Sequence, residues 1–326
     1  MRGDENRARV EGLAAEPLAR IAGDDLLAEL LEQTSRTFAL AIPLLPQPVA
    51  RQVGIAYLLF RIADTFEDAT QGWSRDRQLR ALADFGALLG RPHDGAPAAA
   101  LAAGWLAPPA PTDHRGYQRL LAETPAVLGA FGALEERPRS IIAEHTRRTA
   151  EGMAGWVART GGDGVLELSS VDDLAAYCYT VAGIVGEMLS ELFILGWRAL
   201  APVATILRER AAAFGEALQL VNILKDVATD RREGRRYLPA AVDRGVVFAR
   251  ARRDLAVAAE YVVAAQHAGG PEGLVKFTAL PVLLAGATLD RVERDGPGAK
   301  LSRPEVYLIS RRLDQAVAAG APAVPA

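Results

Sequence analysis

Cysteine is nearly absent: the 326 residues hold one, Cys178. No intrachain disulfide can form, and no cysteine-rich zinc site can be built. Histidine is sparse as well. His93, His114, His145 and His267 stand far apart with no HxxxH or HExxH pair, which argues against a histidine metal centre. Lysine occurs only at 225, 276 and 300, so almost every basic side chain is arginine. Positive charge is not in excess: 37 Lys and Arg stand against 40 Asp and Glu, a net charge of −3 that gives no general attraction to nucleic acid or anionic lipid. There is no P-loop and no GxGxxG after a strand, so phosphate binding through a glycine loop is unsupported. Runs of alternating β-branched residues are missing, which disfavours sheet. No uncharged apolar window of about 18 residues appears, and no transmembrane helix is expected. The nearest, Leu274 to Leu289, is interrupted by Lys276 and Pro281. Residues 1–12 carry Arg2, Asp4, Glu5, Arg7, Arg9 and Glu11 where a secretory signal needs apolar residues. The expected location is the cytoplasm.

What is present points to helices around a large core. Half of the residues are apolar and 24% are charged. Ala, Leu, Arg and Glu dominate, and apolar residues recur at three- and four-residue spacing. The spacing predicts helices over 24–33, 48–69, 75–89, 115–131, 138–157, 171–195, 203–230, 246–267, 272–294 and 303–318, forming a single all-α domain over residues 1–326. The Pro/Ala-rich stretch 91–112 reads as a surface loop, and Gly161, Gly162, Gly164 and Gly296-Pro297-Gly298 as turns. Residues 1–20 and 318–326 are expected to be flexible.

Two acidic helical segments carry the chemistry. In AYLLFRIADTFEDA (56–69), Tyr57, Arg61, Asp64 and Asp68 have offsets 0, 4, 7 and 11. At 100° per residue they fall within about 60° of one another and form one stripe. In LQLVNILKDVATDRREGRRYLP (218–239), Gln219, Asn222, Asp226 and Asp230 at offsets 0, 3, 7 and 11 form a second. Either stripe alone suits a solvated helix face with an ordinary Arg61–Asp64 ion pair. Two of them on largely apolar helices, about 160 residues apart, suggest a pair of facing carboxylate walls. Such walls suit Mg²⁺, which takes hard oxygen ligands and bridges carboxylates to substrate phosphates. Arg61 and Lys225 are placed to hold a diphosphate, and Arg231, Arg232, Arg235 and Arg236 crowd beyond the second stripe. An apolar remainder of the pocket would suit a hydrocarbon chain and a carbocation.

At these residues the chain resembles the squalene and phytoene synthases, head-to-head prenyl transferases of the all-α isoprenoid synthase fold. The resemblance covers roughly residues 34–310. It rests on four blocks in order: SRTFALAIPLLP (35–46), YLLFRIADTFEDA (57–69), YCYTVAGIVGEMLSELF (177–193) and LQLVNILKDVATDRREGRRYLP (218–239). It implies that Asp64 and Asp68 form the first metal motif and Asp226 and Asp230 the second. By the same resemblance Gln219 and Asn222 line the reaction centre, and Ser35, Arg36 and Phe38 stand at the mouth of the diphosphate site. Tyr57, Arg61, Lys225, Arg235 and Tyr237 would contact diphosphates or lie near the developing cation. Tyr177, Val181, Gly183, Val185 and Gly186 would line the chain tunnel, where the helical glycines leave space for substrate or for close helix packing.

The chain departs from the family pattern at two positions. Thr229 stands where an acidic residue is usual, which would weaken one metal site, and Lys225 stands where arginine is usual, losing the bidentate fork. The resemblance implies condensation of prenyl diphosphates with Mg²⁺. The squalene branch would add NADPH, and Lys300, Arg303, Arg235 and Arg236 are candidates for its phosphates. The segment Glu151-Gly152-Met153-Ala154 and the C-terminal block LPVLLAGATLDRVERDGPGAKLSRPEVYLI resemble that branch more than the phytoene one. Phytoene, dehydrosqualene or hydroxysqualene formation are the alternatives. A non-catalytic prenyl-binding relative and a terpene cyclase fit less well. Peripheral membrane contact at product release is compatible with this reading.

Overall fold

The computed structural model describes residues 25–35, 38–161 and 164–325. Its helices are α1 (Asp25–Thr34), α2 (Phe38–Ala41), α3 (Val49–Glu67), α4 (Arg75–Leu88), α5 (Gly95–Leu106), α6 (Arg115–Ala122), α7 (Thr124–Gly132), α8 (Glu136–Ala158), α9 (Val171–Cys178), α10 (Ile184–Gly196), α11 (Ala204–Arg232), α12 (Arg244–His267), α13 (Glu272–Asp295) and α14 (Arg303–Ala318). Strand structure among the described residues is one two-residue parallel pairing, β1 (Leu166–Glu167) with β2 (Arg235–Arg236). The protein is all-α.

Local chemistry sets the helix starts. Ser74 Oγ accepts from Arg77 N–H at the start of α4, and Ser170 Oγ from Asp173 N–H at the start of α9. Ser302 and Glu305 close a reciprocal capping box on α14. Two helices organise the core. In α3 every residue is buried except Arg51, Tyr57, Arg61 and Asp64. Its apolar sides pack on α1, α7 and α8, and Tyr57, Arg61 and Asp64 face inward to a cavity. The 29-residue α11 packs along α10, α12 and α13 and turns its polar stripe to the same cavity.

The structure corrects several expectations. Residues 91–112 are not an irregular loop: α5 forms there, burying Ala98, Ala102 and Trp105, whose ring lies 4.7 Å from that of Phe66. Alanine is the best helix former, and Pro97 sits in the first turn, where its missing N–H costs nothing. The tail is not frayed. Ala323 and Val324 are buried, Ala323 N–H donates to Gln266 Oε1, and Gln266 Nε2 donates to the Ala321 carbonyl. The stretch 115–131 is two helices, broken at Glu123 before Pro125. The stretch 171–195 is interrupted by a π turn, Tyr179–Gly183, between α9 and α10. Residues 1–20 lie outside the described residues.

Two stretches, Val171–Gly196 and Glu272–Asp295, are long and apolar enough to cross a membrane by length and composition alone. Half of each window is buried inside the bundle, where both pack as core helices.

Candidate active site

The two stripes meet. Arg61, Asp64 and Asp68 on one wall, and Gln219, Asn222, Asp226 and Asp230 on the other, border a cavity of about 210 Å³. Glu67, Tyr177, Val181, Ile223, Arg235 and Tyr237 complete it. A second, mostly apolar cavity of about 230 Å³ continues from it. Phe38, Tyr57, Val185 and Gly186 line the second, and Arg61, Asp64, Val181, Gln219 and Asn222 border both.

Hydrogen bonds hold each wall. Tyr57 Oη donates to the Thr34 carbonyl at 2.9 Å and lies 3.3 Å from Arg61 Nη2. Arg61 pairs with Asp64 at 3.2 Å and lies over the rings of Tyr57 and Tyr117, at 5.6 and 5.3 Å. Lys225 Nζ donates to Asn222 Oδ1 at 3.2 Å and pairs with Asp226 at 3.1 Å. Arg235, delivered by β2, pairs with Asp68 and Glu233. The Nε atoms of both Arg61 and Arg235 are buried without a hydrogen-bond partner.

The electrostatics are those of carboxylates short of positive charge. Burial pushes the Asp64 carboxyl up to about 6; Arg61 opposes this and Asp68 adds to it. Burial pushes Asp230 up to about 6 as well, with Arg235 opposing and Asp226 adding. Glu67 is pushed up to about 8 by burial first, then by the charges of Asp68 and Asp64. Its Oε1 lies 3.1 Å from Tyr177 Oη, which is 2.8 Å from Tyr237 Oη. The Tyr177 and Tyr237 rings stack at 4.6 Å, and burial raises both phenols well above their ordinary value. Among the described residues no group of three or more Asp, Glu, His or Cys converges closely enough to hold an ion by itself.

The remaining expected residues divide. Ser35 does not border the cavities; its Oγ accepts from Phe38 N–H at 2.9 Å and so fixes the start of α2. Arg36 lies outside the described residues. Gly183 does not border the cavities either. A Cβ on Gly186 would come within 2.0 Å of the Ala211 carbonyl oxygen, and one on Gly215 equally close to that of Ala182. These glycines serve close crossing of α10 and the π turn over α11. Of the four arginines beyond the second stripe, Arg235 alone borders the acidic cavity. Arg236 pairs with Glu167, and Arg232 Nη2 donates to Thr229 Oγ1. Thr229 is exposed and not on the cavity wall.

Sequence reading missed Glu67, Tyr117 and Gly215. Glu67 lies roughly 60–120° from the members of the first stripe at 100° per residue. Its signal was the adjacent acid pair, Glu67-Asp68, at the end of a largely apolar helix. Tyr117 comes from α6, which carries no acidic pattern. It borders a third cavity of about 740 Å³ that opens off Arg61, Asp68 and Arg235 toward the 109–114 segment.

Comparison with known proteins agrees with this geometry. The squalene synthase of Rattus norvegicus is 30% identical over 212 residues, 65% of this chain and 45% of that one. Squalene synthase BSS of Botryococcus braunii is 32% identical over 205 residues, 63% and 40% respectively. The squalene synthase of Mycosarcoma maydis is 26% identical over 325 residues, 89% and 53%. The chain therefore spans about half the length of these curated relatives. The solved structure of TcSQS with the ligand BPH1237 superposes with a TM-score of 0.66 at 25% identity, covering 90% of this chain and 87% of that one. A dehydrosqualene synthase in complex with ligand superposes with a TM-score of 0.57 at 20% identity, over 90% and 95%, which speaks to the fold alone. The squalene/phytoene synthase family model matches residues 31–311, and the chain belongs to that family.

Proposed function

We propose that the chain condenses two farnesyl diphosphates head to head, through presqualene diphosphate, and reduces the product to squalene with NADPH. The carrying observation is the shared wall. Arg61, Asp64, Val181, Gln219 and Asn222 border an acidic compartment on one side and an apolar one on the other. A molecule with a diphosphate head and a hydrocarbon tail matches that pair, with its reacting carbon at the junction. The squalene synthase names of the relatives support the squalene branch.

Magnesium fits the acidic compartment. Asp64 and Asp68 come from one wall and Asp226 and Asp230 from the other, and among the described residues no three acids converge, which suits an ion whose shell is completed by water and substrate phosphate. Asp64 and Asp68 would hold it on one side, Asp226 and Asp230 on the other. When bound, it neutralises diphosphate charge and stabilises the leaving group.

The chain's own residues do the rest. Arg61 and Arg235 each offer an unpartnered, buried Nε–H, and their guanidinium forks suit phosphate oxygens. Gln219 and Asn222 orient the head at the junction. The apolar wall, with Phe38, Val185 and Phe277, keeps water from an allylic cation, so the second alkene is the nucleophile at hand. Burial raises the Tyr177 and Tyr237 phenols well above their ordinary value, so both keep their protons and add no negative charge beside it. NADPH would supply the hydride of the last step. Lys300 and Arg303 are our candidates for its phosphates, because they follow a turn whose Gly298 N–H donates to the Lys225 carbonyl at 2.7 Å on α11.

Product analysis by mass spectrometry, with farnesyl and geranylgeranyl diphosphate and Mg²⁺, tests the reading. The expected result is presqualene diphosphate without NADPH and squalene with it, carrying one deuterium from labelled cofactor. A C30 or C40 hydrocarbon formed at undiminished rate without NADPH assigns the dehydrosqualene or phytoene branch instead. No diphosphate release from either substrate refutes the reading altogether.

A further inference from the structure

Tyr177 reaches the acidic cavity from the last turn of α9, directly before the π turn at Tyr179–Gly183. A π turn inserts one residue and spoils local hydrogen bonding, so it persists where outside groups support it. Here the support comes from α8 and converges on Thr180. Thr149 Oγ1 donates to the Thr180 carbonyl at 3.2 Å, and Trp156 Nε1 donates to Thr180 Oγ1 at 3.1 Å. Thr180 Oγ1 in turn donates to the Ala176 carbonyl at 2.9 Å, one residue before Tyr177. The Trp156 ring meets Tyr177 edge-on, with centroids 5.6 Å apart. Thr149, Trp156 and Thr180 are all buried.

The sequence segment Glu151-Gly152-Met153-Ala154 finds its place in the same contact. A Cβ on Gly152 would lie 2.5 Å from Thr180 Cγ2, so the glycine makes room for the threonine methyl. On the far side, Tyr179 Oη is held by Arg148 at 2.7 Å and by Glu187 at 3.1 Å, which closes the turn from the next residue.

We propose that Thr180 is a positioning residue: seated against Gly152, Thr149 and Trp156, it fixes the π turn and thereby aims the Tyr177 phenol into the cavity. The proposal rests on the prenyl-diphosphate reading for what Tyr177 does there. Where Tyr177 points is measurable without substrate.

The test places 3-fluorotyrosine at position 177 of the full chain and records fluorine NMR spectra. Thr180→Val removes the hydroxyl and leaves the Trp156 N–H without its acceptor; Gly152→Ala presses on the methyl. Both should shift or broaden the 177 resonance. The double variant Gly152→Ala/Thr180→Ser removes the methyl that the new Cβ meets and keeps the hydroxyl, so the resonance should return toward its original position. Thr149→Val, which removes the donor to the Thr180 carbonyl, should shift it even if Thr180→Val fails to fold.

Diphosphate release from farnesyl diphosphate should show kcat lowered roughly tenfold or more in Thr180→Val, with KM little changed, and recovery in the double variant. The Thr180→Val loss should vanish in a Tyr177→Phe background. A 177 resonance unmoved in Thr180→Val, Gly152→Ala and Thr149→Val overturns the proposal. A wild-type chain that releases no diphosphate overturns the functional reading instead, and the fluorine spectra still decide the positioning.

Discussion

Arg235 Nη1 lies 2.5 Å from Asp68 Oδ1, across 167 residues of chain. The two-residue parallel strand pairing turns the chain after α11 back toward the end of α3, and so places this arginine on the opposite acidic wall. It neutralises part of a carboxylate cluster and presents a buried Nε–H with no acceptor. In our reading that donor awaits a phosphate oxygen. Arg235→Met should raise KM for the prenyl diphosphate about tenfold or more, matching the roughly 1.5–3 kcal/mol of a charge-assisted hydrogen bond. Steady-state diphosphate release measures it, and an unchanged KM would place the phosphate elsewhere.

The aspartates should be indispensable in both walls. Asp64→Ala or Asp226→Ala should leave the far-UV circular dichroism unchanged and lower turnover by more than about tenfold at saturating Mg²⁺. Excess EDTA should stop the wild-type reaction reversibly. Retention of most activity in either variant would contradict a two-walled metal site.

Metal-free stability should depend on pH in a defined direction. Glu67 is raised to about 8 and Asp64 and Asp230 to about 6, whereas in an unfolded chain such groups ionise near pH 4. Between those values the folded state binds more protons than the unfolded one, so stability falls as pH rises. The melting temperature of the EDTA-treated protein should drop by at least roughly 3 °C between pH 5 and pH 8. Glu67→Gln should flatten the upper part of that slope. Calorimetry showing a rising melting temperature over this window would reject the assignment.

The crossing of α10 over α11 allows no added methyl. Gly186→Ala and Gly215→Ala each press a Cβ to 2.0 Å from a backbone carbonyl oxygen, which cannot rotate away. Each should destabilise the fold by roughly 3 kcal/mol, the upper end of ordinary overpacking. Urea denaturation measures the loss. A cost near zero would mean the two helices can separate freely.

Thr229→Glu should leave the Mg²⁺ dependence of the rate unchanged. Thr229 is exposed, accepts a hydrogen bond from Arg232, and does not border the cavity, although its sequence position suggested a weakened metal site. A lower Mg²⁺ requirement in the variant would show that position 229 turns inward when ligands bind.

The division between what was legible in the sequence and what was not follows the range of the forces involved. Helix periodicity is local, so the all-α class and the two stripes, Tyr57/Arg61/Asp64/Asp68 and Gln219/Asn222/Asp226/Asp230, could be read from offsets within single segments. Their face-to-face meeting was an inference from their sharing polar character inside apolar helices, because buried polar groups need partners. The Ala/Pro stretch at 91–112 was misread because low complexity resembles a linker, while burial of Trp105 against Phe66 is a tertiary contact with no local signature. The tail at 318–326 was misread likewise, since Gln266 supplies its hydrogen bonds from α12. Tertiary structure alone decided that Glu67 meets Tyr177 and Tyr237, that Arg235 rather than Arg236 enters the cavity, and that Gly186 and Gly215 serve backbone contact. Each depends on which groups are brought together from far along the chain, and a residue's own neighbours in sequence carry no record of that.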